Sequence, residues 1–265
     1  MDGVFFAGRQ TILGVGFDFI NYRAVFEAVN QWRKCGERKY ICVANPHSVL
    51  LCHRNKRMMS AAAGAAMTLP DGIGVILAAN LLRYKNIGRV TGPALMLKLV
   101  NWGRWYGFRH YFYGGLEGVA DKLADRLSQN YPGLQIAGTY SPPFGNLSQQ
   151  ADAEIVAEIN RARPDILWVG LGAPKQEIWM AGHLGRINAA VMIGIGAAFD
   201  FHSGSVRWAP KWIRDIGLEW AYRLTQEPKR MWRRNLDSPV FLTKVLGQLI
   251  KTKTQSAKYQ IRTNI

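Results

Sequence analysis

Short apolar runs, each cut by glycine or proline and followed by helix-spaced apolar positions, recur along this chain. Residues 40–44, 110–113, 134–137, 166–169 and 190–195 are each long enough for one buried strand and too short for a buried helix. Helical spacing predicts the elements between them. Asn21 caps a helix through Lys34, with Val25, Phe26, Val29 and Trp32 on one stripe. Further helices are expected over residues 47–59, 75–82, 117–129 and 149–162. Residues 90–93 read as a short strand, a tight turn and a proline at a helix start. Residues 12–20 alternate loosely, as a strand or the start of a hairpin. Strand, turn and helix alternate at least five times with short connections. The pattern predicts an α/β fold with a mostly parallel sheet and helices on both faces.

The clearest unit runs from Pro164 to Met180. After its strand, Gly170 and Gly172 lack a Cβ, so the backbone can turn tightly and let a ligand approach. Pro174 suits the first turn of a helix, where its missing N–H would be unpaired anyway. Parallel α/β sheets bind ligands at such strand–turn–helix junctions, and the free N–H groups of the helix start favour an anion. The same pattern also describes an ordinary turn with solvated Lys175 and Glu177.

Composition narrows the picture. The chain has 265 residues, 48% of them hydrophobic, enough for a full core. Its formal charge of +16 is uneven: residues 206–265 hold thirteen Lys/Arg against four Asp/Glu. Such a surface attracts phosphates in nucleic acid, anionic lipid or diphosphate substrates. A boundary near residues 207–210 divides a core, 1–206, from a basic, Trp- and Arg-rich helical appendage, 207–265. Cys35, Cys42 and Cys52 have no CxxC spacing and read as reduced thiols of a cytosolic protein. The five histidines form no metal-ligand motif. No secretory signal pattern and no spanning apolar run are seen, so a soluble or peripheral protein is expected.

Three carboxylates, Asp71, Glu177 and Asp200, fall at turns expected at the carboxyl edge of the sheet. Asp71, between Pro70 and Gly72, reads either as a turn or cap residue or as a general base held by a stiff turn. Asp200 reads as a cap or a ligand contact. A dinucleotide fingerprint is incomplete at both residues 170–175 and 194–199, which lack the third glycine. Walker A and G-x-S-x-G motifs are absent. So is the Asp-x-Asp pair with which many sugar-nucleotide transferases hold a metal; no metal and no cofactor is expected. A diphosphate would then be met by Arg, Lys and helix ends.

The motifs Ala44-Asn45-Pro46, Leu69-Pro70-Asp71-Gly72, Val90-Thr91-Gly92, Tyr113-Gly114-Gly115 and Gly170-Leu171-Gly172-Ala173-Pro174-Lys175-Gln176-Glu177 stand in this order. Phe199-Asp200-Phe201, Arg207-Trp208-Ala209-Pro210 and Gly217-Leu218-Glu219-Trp220 follow. Together they resemble the bacterial WecG/TagA/CpsF glycosyltransferases over roughly residues 14–234. The resemblance implies a Rossmann-like core and a C-terminal appendage that meets the inner face of the cytoplasmic membrane. It implies inverting transfer of a hexose from a UDP-sugar to a sugar on undecaprenyl diphosphate, in exopolysaccharide or other surface polysaccharide synthesis. A neutral hexose such as glucose is favoured by the Asn45–Ser48 and Thr91–Pro93 segments, with N-acetylmannosamine or its uronic acid as alternatives. By position, Asp71 falls on the catalytic base, and Asn45, His47 and Thr91 on the acceptor side. Gly114, Gly115, Gly172, Lys175, Gln176, Glu177 and Asp200 fall on the donor side. Arg223, Arg230 and Arg233 fall on the diphosphate or lipid headgroups.

Pro228 is expected to break the helix between Arg223 and Arg230. Beyond it, Trp232, Leu236, Phe241, Leu242, Leu246 and Leu249 form an apolar stripe beside basic residues. That stripe suits a membrane interface, core packing or a homo-oligomer contact. Two rivals are weighed: an NAD(P)-dependent Rossmann oxidoreductase, and a nucleic-acid-binding protein using the basic tail. Neither has its motif, and no nucleic-acid partner is expected.

Overall fold

The core of the computed structural model is a six-stranded, wholly parallel sheet whose strands lie, side by side, at residues 67–70, 39–44, 191–194, 166–170, 109–114 and 135–140. The structure describes residues 9–143, 145 and 147–263, with side chains up to residue 252 and at 254. A hairpin of β1 (Gln10–Ile12) and β2 (Val15–Phe17) precedes α1 (Tyr22–Cys35). The Asn21 side chain caps α1 by accepting from the Ala24 N–H at 2.9 Å, as expected. The sheet strands are β3 (Lys39–Ala44), β4 (Met67–Pro70), β5 (Arg109–Gly114), β6 (Gln135–Tyr140), β7 (Ile166–Gly170) and β8 (Val191–Gly194). Ile41, Phe112, Leu167, Trp168 and Ile193 are fully buried. Strands covered on both faces read as unbroken apolar runs, which is why these were visible in the sequence.

One face of the sheet is covered by α1, α5 (Gly92–Gly103) and α6 (Val119–Asn130), whose Val29, Leu99 and Leu123 pack on Trp168 and Ile193. The other carries α7 (Gln149–Ala162) and α8 (Lys175–His183), with Ile159 and Met180 packed on Leu167 and Val169. From β5 the chain leads outward to β6, whereas from β7 it leads the opposite way to β8. The two loops diverge at the carboxyl ends of β5 and β7. This topological switch point is where open parallel sheets leave a crevice for ligand.

Several local expectations are corrected. Residues 47–59 do not form one helix but two, α2 (Pro46–Arg54) and α3 (Lys56–Gly64). Asn55 breaks them apart because its side chain caps α3, accepting from the Met58 N–H at 3.1 Å. The turn expected at residues 69–72 starts inside β4, and α4 (Ile73–Leu81) follows it. Val90 belongs to no strand; its N–H donates to the Pro70 carbonyl at 3.2 Å, which lays this segment beside the end of β4.

Past α9 (Ala198–Ser203) the chain is helical: α10 (Lys211–Asp215), α11 (Glu219–Gln226) and α12 (Pro228–Thr263). Pro228 does separate α11 from α12. The apolar stripe on α12 is split between two faces. Phe241 and Val245 are fully buried in a cluster with Leu50 of α2 and Val75 of α4, while Trp232, Leu236 and Leu246 stay exposed. Asp237 pins the docked face: its carboxylate accepts from Arg54 at 2.9 Å and meets the His47 Nδ1 at 2.5 Å.

Candidate active site

The candidate residues come from separate turns and collect along the carboxyl edge of the sheet. Asn45 directly follows β3 and caps α2, its side-chain oxygen accepting from the Ser48 N–H at 3.0 Å. The Asp71 N–H donates to the Ala44 carbonyl at 2.9 Å, which places Asp71 beside that turn at the end of β4. Thr91 starts α5 and is held by the Tyr22 hydroxyl, which accepts its N–H at 3.1 Å. His47 is directed at Asp237 of α12.

At the switch point β5 and β7 come together closely. Gly114 adopts φ +132°, and a Cβ there would lie 2.6 Å from the Gly170 carbonyl carbon. The Gly115 N–H donates to the Gly170 carbonyl at 3.1 Å. No side chain could be accommodated at Gly114 without moving the strand end. In the turn after β7, the Gln176 side-chain oxygen accepts the Gly172 N–H at 3.1 Å, and its amide donates to Glu177 at 2.9 Å. Both ends of Gln176 therefore hold the turn. Glu177 is turned inward rather than solvated: it is 1% exposed, and burial pushes its carboxyl above the usual range. Lys175 is exposed at the mouth of the turn.

The Asp71 carboxyl is strongly perturbed. Burial pushes it up from 3.8 to about 7, reinforced by Glu219 and opposed by Arg89, the Gly72 N–H and Arg223. Glu219 begins α11 and is also raised by burial, against the pull of the Trp208 indole and of Arg89, Arg214 and Arg223. The surrounding guanidiniums are short of acceptors. Arg89 Nε, Arg214 Nε and Arg223 Nη2 are buried without a hydrogen-bond partner among the described residues. Unpaired buried donors of this kind are costly and are normally satisfied by something.

A second cationic group lies alongside. Arg223 pairs with Glu227 at 3.1 Å, and Arg230 approaches Glu227 at 3.0 Å and Asp200 at 3.8 Å. Arg233 lies elsewhere, exposed with its guanidinium over Trp232. Its neighbour Arg234 joins the group instead, its proton affinity lowered by burial and by Arg230 and Arg223. Arg89, Trp208, Arg214, Glu219 and Arg234 were not among the sequence candidates. Trp208 and Glu219 stood inside the motifs quoted above and Arg89 immediately before one, but spacing says nothing about which turns meet. Among the described residues, no three His, Cys, Asp or Glu side chains gather as metal ligands.

Glycine-lined turns at the switch point, with a raised carboxyl and partly unpaired guanidiniums farther along the same sheet edge, suit group transfer on a Rossmann-like architecture. Residues 10–255 match the glycosyl transferase WecG/TagA/CpsF family, and the chain belongs to that family. It is a glycosyltransferase, as its motifs led one to expect. A relative from Bacillus spizizenii is 34% identical over 207 residues, 78% of each chain. One from Bacillus subtilis is 32% identical over 215 residues, 81% of each chain. One from Staphylococcus aureus strain MW2 is 27% identical over 252 residues, covering 94% of this chain and 96% of its own. All three are named N-acetylglucosaminyldiphosphoundecaprenol N-acetyl-beta-D-mannosaminyltransferase.

Proposed function

We propose that this protein transfers an N-acetylhexosamine, with inversion, from a UDP-sugar to a sugar carried on polyprenyl diphosphate in surface polysaccharide synthesis. The observation that carries the reading is Asp71: a carboxyl with proton affinity near neutrality, at the sheet edge, facing buried guanidinium donors that lack acceptors. The donor assignment departs from the neutral hexose favoured by sequence resemblance. The relatives named above transfer N-acetylmannosamine to an N-acetylglucosamine on diphosphoundecaprenol, and nothing supports a glucose preference. The oxidoreductase and nucleic-acid readings gain no support and are set aside.

In the proposed step, the acceptor hydroxyl oxygen attacks C1 of the donor sugar as its proton passes to an Asp71 oxygen. The bond from C1 to the phosphate oxygen breaks with its electron pair, and UDP leaves from the opposite face. A positioned base contributes typically about 10²–10⁴-fold to such a transfer. Charge gathering on the leaving diphosphate would be met by Arg89, Arg214 and Arg223 rather than by a metal. Gly114, Gly115 and the turn held by Gln176 would let the diphosphate approach the backbone, with Lys175 at the mouth and Asp200 beside Arg230. Asn45 and Thr91, at the turns flanking Asp71, would face the acceptor.

The membrane side of the reading rests on where large apolar side chains are exposed. Trp212, Ile216, Leu218, Trp220, Trp232 and Leu236 lie on or between α10, α11 and α12, beside exposed Leu77 and Leu81 of α4. Among the described residues no helix is long and apolar enough to cross a membrane. Apolar side chains among cations suit peripheral attachment at the inner face, where the lipid-linked acceptor is presented. The test is a panel of UDP-sugars with a short-chain lipid carrying diphospho-N-acetylglucosamine. UDP-N-acetylmannosamine is expected to be turned over at least tenfold faster than UDP-glucose, with and without chelator. Turnover of UDP-glucose alone would overturn the donor assignment.

A further inference from the structure

Two stretches far from Asp71 in sequence, residues 89–90 and 208–219, meet around its turn. The Pro70 carbonyl accepts the Val90 N–H at 3.2 Å, which brings Arg89 to the end of β4. Arg89 Nη1 in turn donates to the Arg214 carbonyl at 3.2 Å, tying this segment to α10. The Arg214 guanidinium lies over the Trp208 ring, 3.6 Å from its centroid. Between α10 and α11, Gly217 with φ +80° packs on α4 so tightly that a Cβ would sit 3.0 Å from the Ile73 Cβ. Ile73 is two residues after Asp71, and Glu219 is two residues after Gly217, so this contact carries the start of α11 onto the Asp71 turn.

Arg89 and Arg223 act on both carboxylates through space, while their direct contacts go to the Arg214 carbonyl and to Glu227. Burial is the first cause of the raised Asp71 carboxyl, and Glu219 adds to it by setting a second negative charge among the same cations. We propose that Glu219 is a positioning residue of the Asp71 site, the carboxylate that shares Arg89 and Arg223 and so leaves Asp71 able to act as a base. Because Glu219 belongs to α11, the basicity of Asp71 then depends on α11 being seated on α4. The charged groups concerned are Glu219, Arg89 and Arg223 around Asp71, and Asp71, Arg89, Arg214 and Arg223 around Glu219. The Trp208 indole N–H faces Glu219 but is buried without a hydrogen bond of normal geometry, so it does not satisfy that carboxylate.

The inference rests on the proposed function only for its consequence in turnover; the charge coupling is testable without substrate. The experiment is a carboxyl ¹³C titration of the full-length protein, with Asp71 assigned by Asp71→Asn. In Glu219→Gln the Asp71 midpoint is expected to move to lower pH by about one unit or more, and in Glu219→Asp to return toward the wild-type value. An unchanged midpoint in a folded Glu219→Gln protein overturns the proposal. Should that variant fail to fold, the wild-type resonances still decide, because two coupled carboxyls each show two inflections. Independent single-midpoint curves overturn it equally. With UDP-N-acetylmannosamine and a short-chain lipid diphosphate acceptor, the acidic limb of kcat/KM should shift in the same direction. Full turnover in Asp71→Asn would refute the base assignment while leaving the titration to judge Glu219.

Discussion

Replacing Asp71 by asparagine should make the protein more stable while making it a poorer enzyme, and the stability gain should depend on pH in a defined sense. The Asp71 carboxyl is raised from 3.8 to about 7 in the folded chain. A group that binds its proton more tightly when folded favours the native state at low pH. That advantage is lost as pH rises from about 3.8 to about 7, and above 7 the full cost of a buried charge is present. Three units at about 1.36 kcal/mol each give a ceiling of about 4 kcal/mol. Asp71 is half-buried rather than sealed, so solvent screening reduces this, and about 2 kcal/mol is the expected value. Asparagine keeps the shape and an oxygen to accept from Gly72 but carries no charge. In thermal melts Asp71→Asn should match wild type near pH 4, gain with each unit up to pH 7, and level off there. At pH 8.5 the difference should be roughly 4–8 °C for a chain of this size. Taking the difference between variants cancels the pH dependence of every other group. A constant offset across pH, or a less stable variant at pH 8.5, would sink the idea that Asp71 is held as a strained base. Turnover of the same variant should fall by at least about 10²-fold with donor binding kept.

Further outcomes test the neighbouring parts. Phe241→Ala should cost about 3–5 kcal/mol in urea unfolding, because Phe241 is fully buried between α12 and the α2–α4 surface; an unchanged midpoint would mean that α12 does not dock in solution. For the same reason, cutting the chain after Gly217 should lower the urea midpoint of the remaining core, since it strips that surface of its cover. Arg223→Ala should lower turnover by about 10²-fold, the cost of losing one donor to a developing oxyanion. Arg233→Ala, on the exposed face over Trp232, should leave turnover on a short-chain acceptor unchanged and weaken binding to anionic vesicles; equal effects in the two assays would contradict the placement. Gly114→Ala should abolish UDP-sugar binding in calorimetry, because its Cβ would press on Gly170 at the switch point.

Much of the fold was written in local pattern. Buried parallel strands must be continuous apolar runs, so β3, β5, β7 and β8 announce themselves, and Asn21 caps α1 through a contact three residues away. The same locality misled at Asn55, where helical spacing runs on although a side-chain cap restarts the helix. It misled again on α12, whose single apolar stripe divides into a face packed on α2 and α4 and a face left open. Periodicity reports that a face is apolar; it does not report what covers it.

For function, the chain by itself marked the turns at the strand ends: Asp71 follows β4 directly and Gly172 lies two residues past β7, while Asn45 and Gly114 took their roles from the motifs and Asp200 sits farther on, inside α9. Only the tertiary structure decided which charges meet. Arg89, Arg214, Glu219 and Arg223 lie between about 18 and 150 residues from Asp71, and proton affinity is a sum over neighbours in space. It also showed Gln176 using both ends of its side chain on the turn itself, and Arg234 rather than Arg233 joining the cationic group. A carboxylate becomes a base through desolvation and the competition of nearby charges, and neither has a signature along the chain.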